Sequence, residues 1–285
     1  MKRFFLILLC LAPTVFGENL TSFRLGQQLL ADHKEEMAAI EFRRFALETT
    51  IPEEQVQAYI YAAYAYIQSG SFNDAENMLR HAEKLRPDNS MIPLLYAEAA
   101  ARQKSGPTAL YFLDLLPSQK TETNNALAVF TARRSAEMYV RSGQIEEARF
   151  KLKTSPADES ASLSALDAYA SGPRKSPVVG GVLGLIPGVG YWYSGETANG
   201  FRSLILNSLF MFGMYQTAQD ERWAGFGIIS FFEITWYTGS IYGGIDAAQR
   251  YNQNQMDRCI DGLRVPHIEP DPEITLPIFQ IKVVF

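Results

Sequence analysis

The sequence predicts an all-α fold: a solenoid of helical hairpins, then a small α-helical transmembrane module, then a short extended tail. Three observations carry this expectation. Between Tyr59 and Pro87, small and bulky residues alternate at the spacing of two antiparallel helices joined by a tight turn. After Gly172 the frequent Glu, Lys and Arg of the preceding chain give way to a region, 176–248, with few charges. Beyond Asp271 the hydrophobic pattern changes to a period of two.

At the N-terminus, Lys2 and Arg3 precede an uninterrupted apolar stretch over 4–11; Pro13 breaks it, and Val15, Phe16 and Gly17 lead into polar Glu18. A basic start, a short apolar run and a small residue at its end resemble a secretory signal peptide over residues 1–17. An uncleaved anchor is the alternative, because Phe16 and Gly17 only approximate the small-x-small cleavage rule. Leu9 stands where lipidation of Cys10 would need a small residue, so Cys10 belongs to the apolar run. Of the two cysteines in the chain, Cys259 alone remains after cleavage. No intramolecular disulfide is then possible, and packing must supply the stability.

Residues 18–172 read as the solenoid. In its clearest copy Ala63 and Ala75 let two helices approach closely, while Tyr59, Tyr66, Phe72 and Leu79 fill the space between them. Ala82 continues the small positions, Gly70 permits the turn and Pro87 ends the second helix. These residues resemble the tetratricopeptide repeat (TPR) family. Leu29, Leu30, Ala39, Ile40, Phe42, Phe45, Ala46 and Pro52 fit the same frame upstream, and Ala132, Ala136, Tyr139, Gly143, Ile145, Ala148 and Leu152 fit it downstream. A shortened copy between them uses Tyr96, Ala97, Ala100, Ala109, Leu113 and Pro117. The expectation is about four helix pairs over 20–160, closed by a short helix over 161–170, since one pair cannot bury its own apolar face. The resemblance implies a scaffold that binds a protein or peptide.

Residues 173–252 read as the membrane module, with helices over 203–218 and 223–245. As a helix the first reaches about 24 Å, slightly short of a ~30 Å hydrocarbon core, so flanking residues must contribute. The second is interrupted by Glu233 alone and carries Trp236, Tyr237 and Tyr242 as interfacial or packing aromatics. The segment 177–195 is uncharged but broken by Pro187, Gly188 and Gly190. It reads either as a re-entrant element or as a kinked third span; its helix breakers favour the first and the distribution of Arg202, Arg250 and Arg258 the second. A carboxylate in such a region must face protein or water, and Asn207, Tyr191, Tyr193 and Tyr237 are polar candidates to meet Glu233. Gly239 and Gly243, four apart, permit close helix contact.

The run from Ile186 through Pro187, Gly188, Gly190, Tyr193 and Gly195, with Asn199, Gly200 and Asn207 and the stretch 232–252, is similar to a membrane domain of bacterial tetratricopeptide proteins. There a Pro-Gly-x-Gly-Gln-x-Tyr-x-Gly stretch precedes two hydrophobic helices; here Tyr191 occupies the Gln position. This resemblance implies a cell-envelope protein of the inner membrane with a periplasmic TPR region, sometimes associated with membrane-protein insertion, and no established reaction.

Residues 253–285 form the tail, where Phe279, Ile281, Val283 and Phe285 alternate with Ile278, Gln280, Lys282 and Val284. One strand cannot make a barrel, so a docking strand or disordered tail is expected. The net charge of −5 leaves no basic footprint for nucleic acid. His33, His81 and His267 lie far apart, and no metal spacing, phosphate loop or nucleophile elbow occurs, so no metal, cofactor or catalytic activity is expected. Two functions follow from the pattern: a membrane-anchored adaptor, or a component of an oligomeric transporter or channel that uses Glu233.

Overall fold

A computed structural model describes residues 16–116, 122–270 and 279–282. The signal-peptide run up to 15 with Cys10, Pro117 of the shortened copy, and 271–278 and 283–285 of the tail lie outside the described residues. The chain divides into two compact units, Met1–Asp158 with Val265–Phe285, and Glu159–Arg264. The division therefore falls before, not after, the helix over 161–170.

The first unit contains α1 (Phe16–Ala31), α2 (Glu35–Glu48), α3 (Pro52–Ser69), α4 (Phe72–Leu85), α5 (Met91–Arg102), α6 (Gly106–Asp114), α7 (Glu122–Arg141) and α8 (Ile145–Lys153), each packed on the next. Local chemistry marks their ends. Pro52 stands at the first turn of α3, where a missing N–H costs nothing, and Gly70 takes φ +83° after its last turn, so that Ser71 N–H reaches back to the Tyr66 carbonyl at 2.9 Å. Ala63, Ala75, Leu79 and Ala82 are fully buried, Tyr59 nearly so, and Tyr66 and Phe72 pack partly buried against the same core; Pro87 follows the end of α4. At the N-terminal end of the core the Phe23, Phe42, Phe45 and Tyr61 rings meet edge-on or tilted at centroid distances of 5.1–5.4 Å.

A charged ladder ties α3, α5 and α7 together. Arg134 of α7 bonds Glu98 of α5 at 2.6 Å and Glu137 on its own helix at 2.5 Å; Arg102 bonds Glu98 at 3.1 Å and reaches Gln68 of α3 at 2.9 Å. Arg141 completes the pairing of Glu137 at 2.9 Å. Both carboxylates are buried, so each depends on its guanidinium neighbours.

The tail returns to this unit. β1 (His267–Pro270) pairs antiparallel with β2 (Phe279–Lys282), with Ile268 opposite Ile281, and Ile268 is buried in the core of the first unit. The alternating segment is thus in part a docked strand.

The second unit contains α9 (Ser160–Ser171), α10 (Pro177–Leu183), α11 (Val189–Tyr193), α12 (Thr197–Gln219) and α13 (Trp223–Gly262). α13 is its spine and contacts the other four. The helix expected to close the solenoid is α9, and it packs here along α13. The expected membrane helices lie inside α12 and α13, but among the described residues no helix is long and apolar enough to cross a membrane. The cause is composition: Arg202, Ser203, Asn207 and Gln216 dilute α12, while Glu233, Thr235, Tyr237, Thr238 and Ser240 interrupt the apolar part of α13. The segment 177–195 forms two short helices broken at 184–188, not a third long one.

Two substitutions test this packing in the full chain. Arg134→Met leaves Glu98 and Glu137 buried and short of a partner and should cost about 3 kcal/mol in denaturant unfolding. Ala63→Leu inserts bulk at a fully buried helix crossing and should cost roughly 1–3 kcal/mol; an unchanged unfolding midpoint would show that the crossing lies elsewhere.

Candidate functional site

The second unit is organised by a meeting of backbones. A Cβ added at Gly180 or at Gly244 would strike the other's backbone, and one at Gly190 would lie 2.5 Å from the Gly180 carbonyl oxygen and 2.9 Å from the Gly244 Cα. Helices α10, α11 and α13 therefore touch with no side chain between them. A Cβ at Gly184 would lie 2.8 Å from the Ile241 Cα, which carries the contact one turn further along α13.

The Pro187-Gly188 loop sits against this junction. Gly188 adopts φ +92°, a left-handed conformation that only glycine takes freely, and starts α11. Its N–H points to Ser240 Oγ at 3.4 Å; Ser240 Oγ is 3.1 Å from Ser203 Oγ, so loop, α12 and α13 share one small hydroxyl cluster. Tyr237 donates from its hydroxyl to the Leu185 carbonyl at 2.8 Å. Tyr191 packs onto Gly243, and Trp192 onto Gly200, where larger residues would collide. Tyr193 accepts the Ser176 N–H at 3.0 Å and offers its ring face to Lys175 at 4.7 Å. Gly195, at φ +84°, ends the turn after α11 with open space around it.

A bidentate brace closes the same end. Arg250 of α13 donates to both carboxylate oxygens of Glu196, the residue before α12, at 2.9 Å each. This guanidinium holds the Glu196 carboxyl below its ordinary value of 4.5. Asn252 clasps Lys175 in both directions, accepting its N–H at 2.9 Å and donating to its carbonyl at 2.7 Å.

Towards the α12–α13 turn the polarity is inverted. The residues turned into the seam include Asn207, 1% exposed, and Glu233, 6% exposed, whereas Ile205, Leu209, Phe231 and Ile234 are each more than 60% exposed. Asn207 donates to the Ser203 carbonyl at 2.7 Å, but its Oδ1 has no hydrogen-bond partner, nor have the two oxygens of Glu233. Trp236 is half-exposed, and Gly239 faces open space, so the close contact on this helix belongs to Gly243 and Gly244. In the sequence Gly200 and Gly244 stand out only as part of the resembling stretch, and Gly180 and Gly184 not as packing positions, although Gly180 and Gly184 lie one helical turn apart and Ser240 and Gly244 repeat that spacing.

The arrangement holds nothing resembling an activated nucleophile. Burial pushes the Cys259 thiol up to about 11, and the side chain is free and enclosed. Among the described residues no three His, Cys, Asp or Glu side chains converge on a metal position. No protein-family model, curated protein or solved structure matches the chain.

Gly244→Ala should destabilise the full chain by about 2 kcal/mol, because its methyl meets backbone that cannot turn aside, whereas Gly239→Ala should leave stability unchanged or raise it by up to ~1 kcal/mol through helix propensity. Equal effects at both positions would refute the backbone junction. The brace makes a separate pH prediction. With its folded pKa depressed, Glu196 stabilises above its unfolded value and loses that contribution as pH falls through the folded one. The melting advantage of wild type over Glu196→Gln should therefore be full at neutral pH, begin to decline near pH 4.5 and vanish only below the lower folded value.

Proposed function

We propose that the chain is a membrane-anchored adaptor of the bacterial cell envelope. In this reading the first unit is a TPR-like solenoid that holds a protein or peptide partner, and the second unit seats it at the inner membrane with the solenoid on the periplasmic side. No reaction is assigned to it.

The observation that supports the anchor is the inverted polarity of the α12–α13 hairpin. A surface that presents Ile205, Leu209, Phe212, Ile228, Phe231 and Ile234 together far exceeds the scattered apolar exposure usual for a protein in water. Helices satisfy their own backbone hydrogen bonds, so such faces can enter an apolar phase without further partners. The anchor inserts by its faces and needs no crossing helix. Trp223 and Trp236, both exposed, supply side chains suited to the boundary between lipid and water.

The adaptor half rests on the stacked hairpins, since stacks of this kind present extended surfaces suited to extended partners. The transporter reading needs a pathway, which a single hairpin cannot enclose, and would require several copies.

Membranes from cells producing the full chain should retain it after washing with alkaline carbonate. Ile205→Glu combined with Phe231→Glu should move most of the protein into the wash, because both positions lie on the outer faces and neither supports the seam. Recovery of the wild-type protein in the wash would overturn the anchor.

A further inference from the structure

The interior of the α12–α13 hairpin contains buried polar atoms without hydrogen-bond partners. Besides Glu233 Oε1 and Oε2 and Asn207 Oδ1, the Ser230 hydroxyl is buried and unpartnered. Three contacts fix the antiparallel register of the seam: Ser203 against Ser240 at 3.1 Å, Gly213 with Ile229 at 3.3 Å from its Cβ position, and Gly225 with Thr217 at 3.4 Å. Interpolating between them places the layers of Asn207 and Glu233 within about two to three residues, or roughly 4 Å along the axis, a gap that two such side chains can bridge. Ser230 precedes Glu233 by one turn of the same helix, on the side towards which a helical side chain leans.

We propose that Glu233 and Asn207 form a buried proton-binding site whose ligand, one hydrogen ion, locks the hairpin shut. The proton adds to a Glu233 carboxylate oxygen, converting an anion and a water-derived hydronium into a neutral acid and water; no electrons move. The new O–H then donates to Asn207 Oδ1. A single proton thus supplies the donor that Glu233 and Asn207 Oδ1 both lack. Without it, a desolvated anion is buried with neither a donor nor a cation to offset it.

The surroundings offer no rival partner. Across the seam α12 presents Ser203, Asn207, Phe210, Gly213, Met214 and Thr217, none of them titratable. Tyr191 is committed to Gly243 and Tyr237 to the Leu185 carbonyl, while Arg202, Asp220 and Arg222 are exposed at the ends of α12. Burial in turn pushes the Glu233 carboxyl above the ordinary carboxylate range. The site depends on the seam alone and stands whether or not the module meets a membrane.

Infrared difference spectra of the purified full chain, wild type minus Glu233→Gln, test the site across pH. At neutral pH the difference should show the carbonyl band of a protonated carboxylic acid, and Asn207→Leu should shift that band to the position of a carbonyl freed from its hydrogen-bonded dimer. Because the folded pKa is raised, the contribution is complete at low pH and lost as pH rises through that value. Wild type should therefore melt with Glu233→Gln at low pH and below it at high pH. An ionised carboxylate band at neutral pH would overturn the proposal. So would a band whose position follows sodium against choline, which would mark a metal-cation site instead. A carboxylic-acid band unmoved by Asn207→Leu would remove Asn207 and with it the lock.

Discussion

The second unit depends on one contact, the meeting of the Gly180, Gly190 and Gly244 backbones. Dispersion falls steeply with distance, so three helices can approach this closely only where no side chain intervenes. Once α10 and α11 are held on α13 in this way, the positions of the Pro187-Gly188 loop, the Ser203–Ser240 hydroxyl pair and the Tyr237 bond to Leu185 follow. The Glu196–Arg250 brace closes the arrangement at the start of α12. An added methyl at the junction would act on all of these together, because they share one origin.

The two units solve the burial problem in opposite ways. The first unit follows the usual rule, with Phe42, Tyr61, Leu79 and Phe130 inside. Its buried charges are paired as a ladder, so that Arg134 serves two carboxylates at once. The α12–α13 hairpin instead encloses Asn207 and Glu233 and displays its large aliphatic and aromatic residues. In water that choice would forgo the main driving force of folding. In an apolar phase the hydrophobic difference between inside and outside disappears, and close packing with polar contacts across the seam decides association. The adaptor proposal takes its physical sense from this contrast.

The tail connects the two descriptions through chain topology. The polypeptide leaves the first unit after Asp158, builds the second, and re-enters the first at Val265, where Ile268 joins its core. A short ribbon such as β1–β2 has little independent stability. Burial of Ile268 supplies a reason for it to persist.

Much of the first unit was legible in the sequence because its rules are local. Helix-pair spacing, the turn at Gly70 and the small residues Ala63 and Ala75 each depend on neighbours within about thirty residues, and the helices fall where those signals stand. The aromatic, glycine and serine content of the second unit was equally plain, as was the isolated carboxylate at Glu233. Tertiary structure alone decided which glycines touch: Gly239 and Gly243 have equal standing in sequence, yet the first faces open space and the second receives Tyr191. It also decided that α9 packs along α13, since an apolar stripe specifies burial without naming the surface that provides it. Long runs of apolar residues suggested spanning helices, but hydropathy averaged along a real helix counts Arg202, Asn207 and Glu233 too, and only the fold turned the last two inward. Composition determined that this region would be apolar; three-dimensional contact determined which side of each helix is outside.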